Sequence, residues 1–282
     1  MEKKIKFKLS KDVLLRAVER LSLFIIFSLL VPFLILWGTI AITFSNLPGD
    51  LLRQSLALLF GLASLLMFLF IKDLKKALKV LCAASTVLLV HYMFIAPSND
   101  RNWLADVAIM PEIDFEGDIA KVNNIRFFKY RSNTDYDIEY DNEKFDLRMI
   151  TGTDLFISYW DGLQGIAHTF VSFRFADGKT LCVSVEVRRE KEESYSTAKG
   201  FFKQFELIYV IGNERDIVKV RTNFRSKETF MYPMTLTREQ SQAFCRSLLK
   251  GANDLKLNPK FYNTFGQNCT TTLIGHMNDI DG

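Results

Sequence analysis

Histidine and cysteine are both scarce in this 282-residue chain, at three and four copies. Few side chains can therefore serve as a nucleophile or as a base near neutral pH. A basic excess is also missing where a nucleic-acid-binding module would need one. Residues 1–79 hold 12 lysines and arginines against 5 acids, whereas the remainder holds 24 against 27. The larger C-terminal part is thus mildly acidic, which argues against nucleic acid as a partner. No internal repeat or low-complexity segment interrupts the chain. Charge is absent altogether from three runs, residues 21–49, 54–71 and 80–99.

Those runs are what the N-terminal third does contain. A membrane-spanning helix needs about 20 apolar residues, and three such runs within the first 99 positions weigh against a soluble reading. The first is too long for a signal peptide and lacks a small-residue cleavage site. Pro32 falls inside it, which lipid tolerates and which is expected to kink the helix. The leader, residues 1–20, carries seven lysines and arginines, KDLKKALK carries four and SNLPGDLLR one. Under the positive-inside rule the N-terminus and the second loop face the cytoplasm. Everything after the third span then lies outside it, in a bacterium the periplasm. The expected division is 1–99 as leader and three transmembrane helices, 100–120 as a linker with some short helix, and 121–282 as an extracytoplasmic domain.

In that domain strands dominate. NIRFFKY, YDIEY, KFDL, DLFISYW, IAHTFVSFRF, TLCVSVEVR, FELIYVI, DIVKVRTNF and TFMYPMTL are short, aromatic or β-branched, and bounded by turn or charged residues. One helix is expected after an N-cap at Thr237, and a second from Asn268 or Cys269. The class is α+β, a mainly antiparallel sheet with helices packed against it.

Of the cysteines, Cys82 sits in the third apolar run. Cys182 and Cys245 read as small core residues, in a compartment that permits a disulfide. Cys269 stands in YNTFGQNCTTTLIG, where a helix start would aim free N–H groups and the positive dipole end at the sulfur. That lowers a thiol pKa and could hold an oxyanion during acyl transfer. A buried cysteine at a helix start is the bland reading, and spacing alone leaves both open. Asn268 would cap the helix or donate to the oxyanion. A thiolate nucleophile needs a base. His91 lies in the third apolar run, and His276 is seven residues past Cys269, ~10 Å along a helix axis. His168, inside IAHTFVSFRF, remains, as a catalytic or a structural histidine.

The turn in FRFADGKTL bears on this. Read as a three-residue loop with Gly178 left-handed, it pairs Phe175 with Lys179 and sets His168 opposite Glu186. A two-residue Asp-Gly loop would instead put Val187 there and send Glu186 to the other face. In the first register Glu186 orients the imidazole and supports its charged form.

The run HTFVSFRFADGKTLCVSVEVRREKEESYS, then FFKQFELIYVIGNERDIVKVRTNFR and FYNTFGQNCTTTL, resembles the periplasmic domain of the Lnb-type lipoprotein N-acyltransferases, over about residues 135–277. The resemblance implies a permuted papain-like (NlpC/P60-type) thiol fold in which the histidine strand precedes the cysteine helix. It maps Cys269 to the nucleophile and His168 to the base, with Glu186 as third member from the hairpin register. Arg188, Arg221 and Arg225, with Arg189 and Arg215, are either salt-bridged faces or a cationic pocket for phosphate, which arginine grips bidentately. Tyr209 is a weaker candidate for substrate contact. The implied activity is acyl transfer from a membrane phospholipid through a Cys269 thioester to an amine, the N-terminus of a lipoprotein. Such chemistry requires no metal or organic cofactor. A cysteine amidase or peptidase acting on cell-wall peptide, or a non-catalytic binding module, are the competing expectations.

Overall fold

A computed structural model describes residues 11–160 and 163–280, so the first half of the basic leader falls outside the described residues. The chain divides into two units, Met1–Ala96 and Pro97–Gly282.

The first unit is three helices long and apolar enough to cross a membrane, Leu14–Thr43, Asp50–Phe70 and Leu74–Phe94. The first is α1 (Lys11–Ile25) running through a π-turn at Ile26–Leu30 into α2 (Val31–Thr43). Pro32 explains that turn: it has no N–H, and its ring pushes against the carbonyl one turn back, so the ladder widens just before it. α3 (Asp50–Phe70) and α4 (Leu74–Phe94) complete the unit. Its burial is inverted relative to a water-soluble bundle. The buried positions include Gly38, Ala57, Ser64, Ala77 and Ser85, while Leu51, Leu69, Phe70 and Phe94 are at least 77% exposed. Small residues let the backbones approach and large ones face outward, which is stable in lipid and not in water. At Gly38 an added Cβ would meet the Phe60 ring at 2.5 Å.

The second unit is a mixed α/β domain built on a mainly antiparallel sheet. Its strands are β1 (Glu112–Glu116), β2 (Ile119–Arg126), β5 (Tyr140–Asp146), β6 (Ile150–Trp160), β7 (Leu163–Phe175), β8 (Thr180–Arg188), β9 (Glu206–Gly212) and β10 (Thr229–Pro233), with a separate ribbon of β3 (Lys129–Tyr130) and β4 (Tyr136–Asp137). The sheet order is β1-β2-β9-β8-β7-β6-β10, with β5 also on β2, and among the described residues only the β2–β9 contact is parallel. Neighbouring residues of a strand leave on opposite faces, and β7 serves both. Phe173 meets Phe244 of α6 (Arg238–Leu257) edge-on at 5.7 Å, while the Arg221 guanidinium lies 4.7 Å over Phe170. α7 (Cys269–Asn278) packs on β7, β8 and α6. Both late helices start as their sequences demand, with capping boxes at Thr237/Gln240 and Asn268/Thr271.

Two expectations are corrected. DIVKVRTNF is not a strand but α5 (Glu214–Lys219) and a π-turn, Val220–Phe224. Asn213 accepts from the Asp216 N–H and two acids sit in the first turn. The apolar residues Ile217 and Val220, with Arg221, are buried at helical rather than strand spacing. Residues 100–120 are not a linker. Trp103, Val107, Met110 and Ile113 are buried in the second unit, and β1 lies within this stretch. Single apolar anchors spaced among charges hid that packing.

Candidate active site

The β7–β8 hairpin turns at Gly178, φ +83°, with the Phe175 N–H on the Lys179 carbonyl. This is the three-residue register, and its pairs run from Arg174↔Thr180 to Phe170↔Ser184. There the ladder stops, although β7 stays paired to β6 through His168 and β8 to β9 through Arg188. The two strands part just where Thr169 would have exchanged hydrogen bonds with Val185, the next hydrogen-bonded pair in an antiparallel ladder. The N-terminus of α7 meets β7 at this opening. Hydrogen bonding from the Thr169 N–H and hydroxyl acts on the Cys269 sulfur instead.

Carried past the last rung, the register still sets Glu186 across from His168. The His168 Nε2 lies 3.1 Å from Glu186 Oε1 and 2.8 Å from Ser184 Oγ, which itself donates to Glu186 Oε1 at 2.6 Å. With Nε2 so engaged, Nδ1 is the ring nitrogen left for the Cys269 thiol, with which His168 hydrogen-bonds. Arg221, itself buried, donates from Nη2 to the same Glu186 Oε1 and is fixed by donating from Nη1 to the Ile217 carbonyl at 2.6 Å. Cys269, His168, Glu186 and Arg221 thus form one continuous chain of contacts.

Its electrostatics separate charge. Burial drives the Cys269 thiol up, but hydrogen bonding and charge from His168, with the Thr169 donors, bring it down to about 6. Burial drives His168 down, yet the Glu186 charge and its bonds to Cys269 and Glu186 raise it to about 9. Burial opposes ionisation of Glu186 too, and the charges of His168 and Arg221 overcome it, holding the carboxyl well below its ordinary value. Near pH 7 the pair is thiolate and imidazolium, the nucleophilic form of a cysteine. By contrast all four cysteines are unpaired, and Cys182 and Cys245 are buried thiols with raised pKa values, so the disulfide they could have formed is not made.

Asn268 acts as the helix cap. Its Oδ1 accepts the Thr271 N–H at 2.9 Å and its Nδ2 donates to the Thr264 carbonyl at 2.8 Å, which leaves one Nδ2 hydrogen beyond the cap. The N–H groups of Cys269 and Thr270 have no acceptor among the described residues.

The other expected contacts are scattered. Arg188 is buried, stacked 4.4 Å over Trp103, and donates to the carbonyls of Val107 and Ala108 and to Asn99. It ties residues 99–108 to the sheet and does not line the cleft over Cys269. Arg225 does line that cleft, with Arg189, Lys227, Tyr159, Tyr195 and Tyr262, around a cavity of about 310 Å³. Tyr209 lies elsewhere: its hydroxyl is 2.7 Å from His276 Nε2, and His276 Nδ1 is 2.8 Å from Ser247 Oγ. That bridge fastens α7 to α6 and β9. Thr169, at the centre of the site, carries no motif of its own, whereas the register that sets Glu186 across from His168 also puts Ser184 on their face.

The family described as the Lnb N-terminal periplasmic domain matches residues 136–282, which takes in His168, Glu186, Arg221 and Cys269. No curated protein and no solved structure matches the chain.

Proposed function

Since the chain belongs to the Lnb N-terminal periplasmic domain family, we propose that it is a membrane-anchored thiol acyltransferase. The family supports a lipoprotein-processing role at a membrane, and the three apolar helices supply the anchor. One observation carries the finer reading: a thiolate at the head of α7, paired to an imidazolium that Glu186 and Arg221 hold in place. The order of parts, histidine strand before cysteine helix, fits a permuted papain-like fold. The charge distribution favours a bacterial inner membrane with the N-terminus cytoplasmic and the catalytic unit periplasmic.

In the first half-reaction the Cys269 thiolate attacks an ester carbonyl of a membrane phospholipid. The carbonyl oxygen becomes an oxyanion facing the unoccupied N–H groups of Cys269 and Thr270. As the C–O bond breaks, the His168 imidazolium gives its proton to the departing alcohol, and a lysophospholipid leaves. In the second half an amine, the N-terminus of a lipoprotein, attacks the thioester and gives a proton to His168. The C–S bond breaks and the thiolate returns. Binding the donor where lipids are concentrated makes the first step effectively local.

The test is intact-mass spectrometry of the full chain purified from membranes. An acyl adduct on Cys269 that Cys269→Ser lacks supports the reading. Cleavage of peptidoglycan fragments with no adduct would make the protein a hydrolase. Cys269→Ser and His168→Ala both behaving as wild type in cells would remove catalysis altogether.

A further inference from the structure

The cleft over Cys269 holds more positive charge than its carboxylates balance. Five basic side chains line it, Arg126, Arg189, Arg221, Arg225 and Lys227, against the acids Asp106 and Glu186. Two of the five are fully committed. Arg126 grips the buried Asp216 through two bonds, at 2.7 and 3.0 Å, and Arg221 is paired with Glu186. Arg225 reaches Asp106 only at 3.7 Å and otherwise donates to the Asn133 amide oxygen at 3.1 Å. Arg189 is partly buried and has no carboxylate partner among the described residues. Arg189 and Arg225 line the same cleft as His168 and Cys269. Arg188, the neighbouring residue, is turned to the main chain of residues 107–108.

A guanidinium held partly out of water without a counter-ion is unfavourable unless a ligand supplies the charge. Guanidinium forks match phosphate oxygens in two-bond geometry, and two of them suit a phosphodiester better than a single carboxylate. Resting on the acyl-transfer reading, we propose that Arg189 and Arg225 bind the headgroup phosphodiester of the acyl donor. They would orient the lipid so that its ester carbonyl, a few bonds from the phosphate, meets Cys269 Sγ. The site is then a specificity element: it selects phospholipids over neutral glycerides and leaves the bond-making steps to Cys269 and His168.

The experiment compares two donors with the same acyl ester, dihexanoylphosphatidylglycerol and dihexanoylglycerol, on the full chain in detergent. Cys269 acylation is followed by mass. In Arg189→Gln and Arg225→Gln the preference for the phospholipid, as a ratio of kcat/KM values, should fall by about tenfold or more, the scale of one lost charge-assisted hydrogen bond. The loss should lie in KM, and Arg189→Lys should recover part of it. An unchanged ratio, with both donors still acylating Cys269, overturns the subsite and leaves acyl transfer standing. Acylation by neither donor in the wild type sinks acyl transfer and the subsite together. Inorganic phosphate separates the two sources of the anion. Inhibition confined to the phospholipid donor supports the headgroup assignment, whereas inhibition of both donors alike, tighter than about 1 mM and abolished by Arg189→Gln, would make free phosphate the occupant and overturn it.

Discussion

Thr169 directs at Cys269 the N–H that a continued β7–β8 ladder would have given to Val185. The end of one strand pairing is thus the beginning of the site: the rung that is not made becomes a donor to the thiolate. Pairing to the outer neighbours, β6 and β9, persists, so the opening is held rigidly rather than frayed.

Glu186→Gln removes the charge that favours imidazolium at His168. His168 should fall from about 9, and with less positive charge beside it the Cys269 thiol should rise from about 6. Alkylation by iodoacetamide reads this directly. In the wild type the rate should decline only as pH drops through about 6, whereas in the variant the decline should begin at higher pH. Superimposed profiles would remove Glu186 from the site.

Cys269→Ala should unmask a pH dependence of stability that the wild type hides. His168 alone stabilises fully below its unfolded value of about 6.5 and loses that contribution as pH rises through about 9. Cys269, its pKa lowered, stabilises fully above about 8.5 and loses its contribution as pH falls through about 6. Between those limits the slopes are opposite and cancel, because the folded pair and the unfolded chain each hold one proton. With the thiol gone, Glu186 still raises His168. Melting of the variant should therefore fall relative to wild type as pH climbs from about 6.5. Parallel curves would mean the pair is a neutral thiol and imidazole.

Arg221→Met leaves Glu186 with only His168 and Ser184. Breaking a buried ion pair by removing one partner costs about 3–5 kcal/mol, and the surviving contacts put this case at the lower end. At about 2–4 °C per kcal/mol for a unit of this size, thermal melting should drop by roughly 6–12 °C. Cys269 alkylation near neutral pH should slow as Glu186 loses its anchor. A stable, fully reactive Arg221→Met protein would show that Arg221 positions nothing.

Gly251→Ala tests the fastening of α7. A Cβ there would sit 2.7 Å from His276 Cε1 and 3.0 Å from the Tyr209 hydroxyl. Overpacking of this kind typically costs about 1–3 kcal/mol. The displaced His276 should shift α7, so Cys269 alkylation and acylation should slow alongside the loss of stability. Restored reactivity in a Gly251→Ala, Tyr209→Phe double variant would trace the effect to this contact.

Much of the site could be read from the chain because local rules fix it. Asp177-Gly178 sets the turn, the turn sets the register, and the register brings Glu186 to His168. The Asn268-x-x-Thr271 spacing sets a helix start and so puts Cys269 at its head. What stayed hidden depends on tertiary placement. Val218 and Val220 imitate strand alternation, and only the Asn213 cap reveals α5 and the turn that delivers Arg221. Arg188 and Arg189 are indistinguishable in sequence, yet one is a clamp on the 99–108 segment and the other faces the cleft. The membrane helices were plain from absent charge, while their inward small residues emerge only from the packing.

The parted strands set the reactivity of the Cys269 thiol against robustness. A substitution that let β7 and β8 zip shut past Phe170 would add rungs to the sheet and raise its melting point. It would also withdraw Thr169 from the sulfur and fill the gap at which α7 presents Cys269. Directed evolution of this protein for heat resistance alone would therefore drift toward a sturdier and inert sheet.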